Sequence, residues 1–345
     1  MKTAVVLFNL GGPDSAQAIK PFLFNFFMDK NIIRLPHPFR FFIAALIAIR
    51  RSRKEAGTSY GLLGGASPLL KNTKAQAAEL EQALGEGHRV FVSMRYWHPM
   101  ADETIEAVKT YAPDRIILLP LYPQYSTTTT RSSFQTWTKA AKRTGMIAPT
   151  KLICCYPFED GFIKSSAALV REAVDEATTK TGKTPRVLFS AHGLPEAVIS
   201  DGDPYQWQCE ESAKRIADQA GVKDWAICYQ SRVGRMQWIG PSTEEELHRA
   251  ALDKVPVVVY PHAFTQEHVE TLVEIELEYR HKAQELGVPY FARVPTVATS
   301  PDFIAGLARL VRAAHDNPAI APDGGRRICP EKFCRCSMQK GELAS

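Results

Sequence analysis

Short, continuous apolar runs alternate along the chain with longer stretches whose apolar residues recur every three or four positions. In the first half the runs are Thr3–Leu10, Arg89–Tyr96, Arg115–Tyr122 and Lys151–Pro157; in the second they are Arg186–His192, Trp225–Ser231, Val255–His262 and Tyr290–Val297. Unbroken runs such as "VVLF", "IILLPL" and "VPVVVY" suit parallel strands buried on both faces. Between them, "NTKAQAAELEQALGEG" and "CEESAKRIADQAG" read as amphipathic helices stopped by glycine. Alternation of β and α predicts an α/β protein with doubly wound sheets.

The two halves repeat one another weakly. "VLFNLGGP" (6–13) resembles "VLFSAHGLP" (187–195), and "LPLYPQYS" (119–126) resembles "VVVYPHAF" (257–264). Two similar domains are expected, 1–147 and 148–318, joined near Gly145–Lys151 and followed by an extension, 319–345. Ligands of such sheets lie beyond the carboxyl ends of the strands. His192, Tyr96, Tyr125 and His262 fall at or just after those ends and are expected to face a cleft.

Length and charge narrow the class. With 345 residues and 45% hydrophobic content the chain can bury a large core, and a net charge of +5 is too modest for a nucleic-acid binder. A small anionic molecule or an acidic membrane surface suits it better. The longest apolar stretch, Phe41–Ile49, falls far short of the roughly 20 residues that span a bilayer. "GGPDS" follows the first apolar run where a secretory signal would carry a cleavage site, so a cytoplasmic protein is expected.

Four stretches hold candidate chemistry. In "LFSAHGLP" the imidazole of His192 ends a strand among small residues, where a bulky ligand can reach it. In "PHAFTQEHVETLVEIELEY", Glu270, Glu274 and Glu278 form a stripe among apolar neighbours, just after His262 and His268. A solvated acidic face has the same spacing, but carboxylates leading to a histidine also suit passage of a hard cation or removal of protons. Residues 22 to 54 are dense in aromatics and close on Arg50, Arg51, Arg53 and Lys54. That composition suits either a buried hairpin or a lip that shields a flat apolar ligand and touches lipid. Finally, Cys329, Cys334 and Cys336 crowd the extension. Three thiolates ask for a fourth, from Cys154 or Cys155, and adjacent strand residues point to opposite faces, so only one of that pair should join. A [2Fe–2S] cluster and a structural Zn²⁺ both accept four thiolates.

Taken in order, "LFNLGGPDS", "FLFNFFMDKNIIRLP", "YGLLGGASPLL", "MRYWHPM", "LYPQYSTTTTRSS", "FSAHGLP", "GDPYQWQ", "YQSRVGRMQWIGP" and "FTQEHVETLVEIELEY" resemble the ferrochelatase family over nearly the whole chain. The resemblance implies two Rossmann-like, chelatase-type domains with protoporphyrin IX between them and Fe²⁺ as co-substrate. It implies that His192 and Glu270 face the macrocycle centre, with Glu274 and Glu278 along the iron path on a widened helix. Arg50, Arg51 and Ser67 match propionate-holding positions. Leu10, Tyr60, Met94, Arg95, Tyr96 and Trp238 match the cleft lining, and residues 22 to 54 match membrane-associated lips. Leu10 occupies the place where coproporphyrin-using relatives carry tyrosine, so protoporphyrin is the expected substrate. "YPQYSTTTTRSS" lacks the cysteine that some cluster-bearing relatives have; Cys154 or Cys155 resembles a second, bacterial cluster arrangement. A coproporphyrin ferrochelatase, a cobalt chelatase of the corrin pathway and a non-catalytic tetrapyrrole carrier are the alternatives.

Overall fold

A computed structural model describes residues 1–232 and 236–339. Residues 233–235 of "YQSRVGRMQWIGP", residues 340–345 of the extension and the side chain of Lys54 lie outside what is described. Among the described residues nine strands follow one another: β1 (Thr3–Asn9), β2 (His88–Met94), β3 (Arg115–Pro120), β4 (Thr150–Ile153), β5 (Arg186–His192), β6 (Trp225–Gln230), β7 (Val257–Tyr260), β8 (Phe291–Arg293) and β9 (Ile320–Ala321). They build two all-parallel sheets with helices between the strands, the α/β architecture the apolar runs predict.

The chain divides into two compact units. One comprises Met1–Cys155, Ala308–Arg327 and Ser337–Ser345; the other comprises Tyr156–Leu307 and Ile328–Cys336. The first holds a five-stranded sheet in the order β2-β1-β3-β4-β9, with Thr3 paired to His88 on one side and to Arg115 on the other. Every residue of β1 is buried, which is why "TAVVLFN" shows no polar alternation. The second unit holds a four-stranded sheet, β6-β5-β7-β8, in which His192 pairs with Gln230 and Phe189 with Tyr260.

Several strands are shorter than their apolar runs. β4 stops at Ile153, β7 covers Val257–Tyr260, and β8 only Phe291–Arg293. Apolar residues continue past these strand ends into buried turns, so composition alone overstates strand length. β9 escapes sequence reading altogether, because two residues carry no periodicity.

The aromatic stretch folds as helices Ile19–Phe27 and His37–Gly57 in the first unit. Phe24 meets Phe41 edge-on at 5.4 Å. The second helix is not covered along its length: Phe39, Phe41, Phe42, Leu46 and Ile49 are all exposed. Among the described residues no helix is long and apolar enough to cross a membrane.

Candidate active site

β5 and β6 run side by side in the second unit and end together at His192 and Gln230. Facing these ends is a ten-residue π-helix, Glu270–Tyr279. Its i→i+5 pattern is rare in general and frequent at functional sites. The predicted stripe is there, and the structure shows what each carboxylate touches.

His192 Nδ1 lies 2.8 Å from Glu270 Oε2. An ionised carboxylate only accepts, so Nδ1 carries the hydrogen, and in the neutral ring Nε2 keeps its lone pair. Burial opposes charge on this ring, but the Glu270 carboxylate outweighs it and raises the pKa of His192 above the ordinary imidazole value. Glu270 would itself be pushed up by burial; the neighbouring His192 and His268 and its hydrogen bonds hold it below the usual carboxylate range. Its backbone N–H donates to His268 Nδ1 at 3.0 Å.

Glu274, one step along the stripe, behaves oppositely. Burial first, then the charge of Glu270, raises its pKa. It accepts from the Ser231 backbone N–H at 2.8 Å, the Ser231 hydroxyl at 2.5 Å and the Tyr279 hydroxyl at 3.1 Å. The same Ser231 hydroxyl lies 3.3 Å from Glu270, and Gln230 Nε2 reaches both carboxylates at 3.4 and 3.3 Å. Ser190 donates to Gln230 Oε1 at 2.7 Å, which fixes the amide so that its N–H₂ faces the acids. Two adjacent carboxylates with pKa values pushed apart form a site that can hold one proton and pass another. Glu278, farther along, is exposed.

Backbone detail sets this geometry. Ser231 sits at φ +61°, uncommon for a residue with a Cβ, and this conformation turns its N–H and hydroxyl together onto Glu274. A Cβ on Gly193 would come within 2.8 Å of the Gln230 carbonyl, to which the Gly193 N–H already donates. Trp238 lies beside the same loop, bridged to Pro195. His262 is placed differently from the sequence expectation. It is fully buried, stacked edge-on against Phe189 with Nε2 by the Cys209 carbonyl, and burial lowers its pKa to about 4. It is a neutral core histidine.

The first unit gathers its own predicted residues. Leu10 follows β1, and its carbonyl accepts from the Tyr96 N–H at 3.0 Å. Gly11, at φ +85°, and Gly12 must lack side chains, since a Cβ on Gly12 would lie 2.6 Å from Ser67. Met94, Tyr96 and Tyr60 are buried. The Tyr96 hydroxyl and Arg95 both donate to the buried carboxylate of Asp29, at 2.7 and 2.9 Å. Tyr125 is buried as well, so Tyr96 and Tyr125 are packed side chains in this structure. Arg50 is exposed, and Arg51 pairs with Glu55 at 2.8 Å. Sequence reading missed Asp29, Gln230, Ser231 and Tyr279; lone polar residues at strand or helix ends carry no spacing signal.

The cysteines are divided between the two units. Cys329 and Cys336 are buried, Cys334 is exposed with its thiol 3.3 Å from the Asp201 carbonyl, and these three lie in the second unit. Cys154 and Cys155 are buried in the first unit. Because β4 ends at Ile153, the strand alternation that would separate them does not apply, and their sulfurs lie 3.9 Å apart. Among the described residues no group of three or more His, Cys, Asp or Glu side chains is arranged to hold a metal. No step below passes through a cluster.

The fold has solved counterparts. It is similar to SirB from Bacillus subtilis with Fe3+, at TM-score 0.51 and 15% identity, covering 91% of this chain and 96% of that one. It is likewise similar to the sirohydrochlorin chelatase SirB from Bacillus subtilis subspecies spizizenii in complex with cobalt, at TM-score 0.53 and 15% identity, covering 92% and 97%. The architecture is thus of the chelatase type. The Ferrochelatase family model matches residues 2–315. Proteins named ferrochelatase from Wolbachia sp. subsp. Drosophila simulans (51% identical, covering 90% of this chain and 98% of the relative) and Caulobacter vibrioides (46%, covering 99% of each) align almost throughout. The chain belongs to the ferrochelatase family.

Proposed function

We propose that this chain is a lyase that inserts Fe²⁺ into protoporphyrin IX, the terminal step of heme synthesis, with His192 as acceptor of the pyrrole protons. The observation that carries this reading is the contact of His192 Nδ1 with Glu270, which leaves Nε2 as a base beside a carboxylate that stabilises the imidazolium. Insertion requires two N–H protons to leave and iron to shed water. A grip on the macrocycle edges that bends the ring would expose the nitrogen lone pairs, with remote binding energy lowering the barrier. A proton taken by Nε2 gives an imidazolium that Glu270 stabilises through Nδ1; the Ser231 hydroxyl lies within reach of Glu270 and Glu274 and links them, Glu274 with its raised pKa is the better proton acceptor of the two, and exposed Glu278 continues the row. The same carboxylates offer hard oxygen ligands to a passing Fe²⁺.

In this reading Arg50, Arg51 and Ser67 hold the propionates, and Leu10, Tyr60, Met94, Arg95, Tyr96 and Trp238 shape the porphyrin site. The exposed Phe39 and Phe42 support peripheral attachment of a cytoplasmic enzyme to the inner face of the cell membrane. The spacing of Cys329, Cys334 and Cys336 supports a [2Fe–2S] cluster completed by Cys154 or Cys155. Ultraviolet–visible spectra with iron and sulfide assays on anaerobically purified protein test the cluster; a colourless preparation holding zinc or no metal contradicts it. The decisive test of the activity is turnover of Fe²⁺ with protoporphyrin IX and, in parallel, coproporphyrin. Heme formation from protoporphyrin at the higher kcat/KM is expected. Preference for coproporphyrin overturns the substrate assignment, and porphyrin binding without insertion indicates a carrier.

A further inference from the structure

The first unit contains a cavity of about 180 Å³ that shares only Arg95 with the residues assigned a role above. Its lining is polar except for Met28 and includes Asp29, Lys30, Arg40, Arg95, Thr136 and Lys139. Asp29 and Arg95 neutralise one another at 2.9 Å. Among the described residues no carboxylate pairs with Lys30, Arg40 or Lys139, so three positive charges around one small cavity stand uncompensated. The Arg40 guanidinium shows the same deficit at atomic level. One terminal nitrogen donates to the Leu35 carbonyl at 2.8 Å, while Nε is buried and has no hydrogen-bond partner. That Nε is closed off from the cavity, so an oxyanion there would meet the terminal guanidinium N–H groups, in charge-assisted hydrogen bonds.

We propose that this cavity binds a phosphoryl oxyanion. A dianion matches the charge of one guanidinium and two exposed ammonium groups around the cavity, a guanidinium suits paired phosphate oxygens, and the scarcity of apolar lining excludes a macrocycle. The ligand has two sources. Arg40 lies in the run Phe39–Phe42, whose Phe39 and Phe42 are 64% and 71% exposed, so the phosphate of a lipid headgroup would reach the cavity with its acyl chains against those rings. Free phosphate would reach it from solution. The cations the proposal uses, Lys30, Arg40 and Lys139, have no role in the chelatase reading, and His192, Glu270 and Glu274 belong to the other unit.

Calorimetric titration of the full chain with inorganic phosphate tests the site in wild type, Arg40→Gln, Lys139→Gln and, as a cation of the same helix outside the cavity, Arg53→Gln. We expect wild type and Arg53→Gln to bind alike and both cavity variants to lose at least tenfold in affinity, with unchanged melting temperatures. If Arg40→Gln fails to fold, Lys139→Gln carries the comparison. Co-sedimentation with phosphatidylcholine vesicles, with and without phosphatidic acid, separates the sources. Retention that needs phosphatidic acid, is competed by free phosphate and is lost in Lys139→Gln assigns a headgroup; phosphate binding without such retention assigns the soluble ion. The proposal is overturned if wild type shows neither, if both cavity variants bind as wild type does, or if Arg53→Gln loses as much as they do.

Discussion

Replacing Ser231 by alanine removes one oxygen and tests the proton route where it is narrowest. The hydroxyl lies 2.5 Å from Glu274 and 3.3 Å from Glu270, and it is the only hydroxyl that the described residues place on both. Alanine keeps the Cβ, so the cost of the left-handed backbone at φ +61° is the same in both proteins. The Ser231 N–H and the Tyr279 hydroxyl still donate to Glu274, at 2.8 and 3.1 Å. The loss is then a single hydrogen bond to an acidic group, about 1.5 kcal/mol at the low end of the usual range, which is about tenfold in kcat if the bond is needed in the transition state. The sign on pH follows from the same contact. The hydroxyl favours ionised Glu274 and holds its raised pKa down, so its removal moves that pKa further up and carries the acid limb of the kcat profile to higher pH. The assay is iron insertion across pH in Ser231→Ala, Glu274→Gln and the double variant. If serine acts through Glu274, the double variant is no slower than Glu274→Gln alone; additive losses, or an unmoved acid limb in Ser231→Ala, refute the coupling.

Other consequences concern stability and the surface. Buried His262 has its pKa lowered to about 4, so the unfolded chain takes up a proton there that the native state refuses. Native stability at this residue is complete above about pH 6.5 and declines as pH falls toward 4, by at most about 3 kcal/mol; denaturant titrations at pH 7 and 5 should show a smaller difference for His262→Gln than for wild type. A Cβ on Gly306 would lie 2.2 Å from Glu159 Oε2, the oxygen that caps helix Asp160–Thr181 through the Phe162 N–H. Gly306→Ala should therefore destabilise by about 2–4 kcal/mol from overpacking and a displaced cap, read as a lower melting temperature; an unchanged one contradicts the packing described. Phe42→Ser changes a side chain that is 71% exposed, so stability should stay within about 0.5 kcal/mol while retention on lipid vesicles falls; undiminished retention removes this helix from membrane attachment.

What the sequence made legible follows from the physics of each signal. Continuous apolar runs identify doubly covered parallel strands, and β1, β3 and β5 lie where those runs lie. The Glu270–Glu274 stripe and strand-end His192 were visible because period and position are one-dimensional properties. Gln230 and Ser231 were not, since their roles come from β6 ending beside β5 and from one left-handed φ angle. His262 had the same strand-end signature as His192, but pleat direction and packing decide between a site and a core, and those are three-dimensional. The widening of helix Glu270–Tyr279 likewise has no periodicity signature, because a spacing of four keeps residues roughly aligned in an α-helix and a π-helix alike.

The most direct test of the central claim is single-turnover iron insertion by His192→Ala, with porphyrin affinity measured on the same protein by fluorescence. The account predicts that protoporphyrin binds with near wild-type affinity while heme formation is lost, because Glu270 then has no imidazole to relay from. Heme formation at a near wild-type rate in that variant would contradict it.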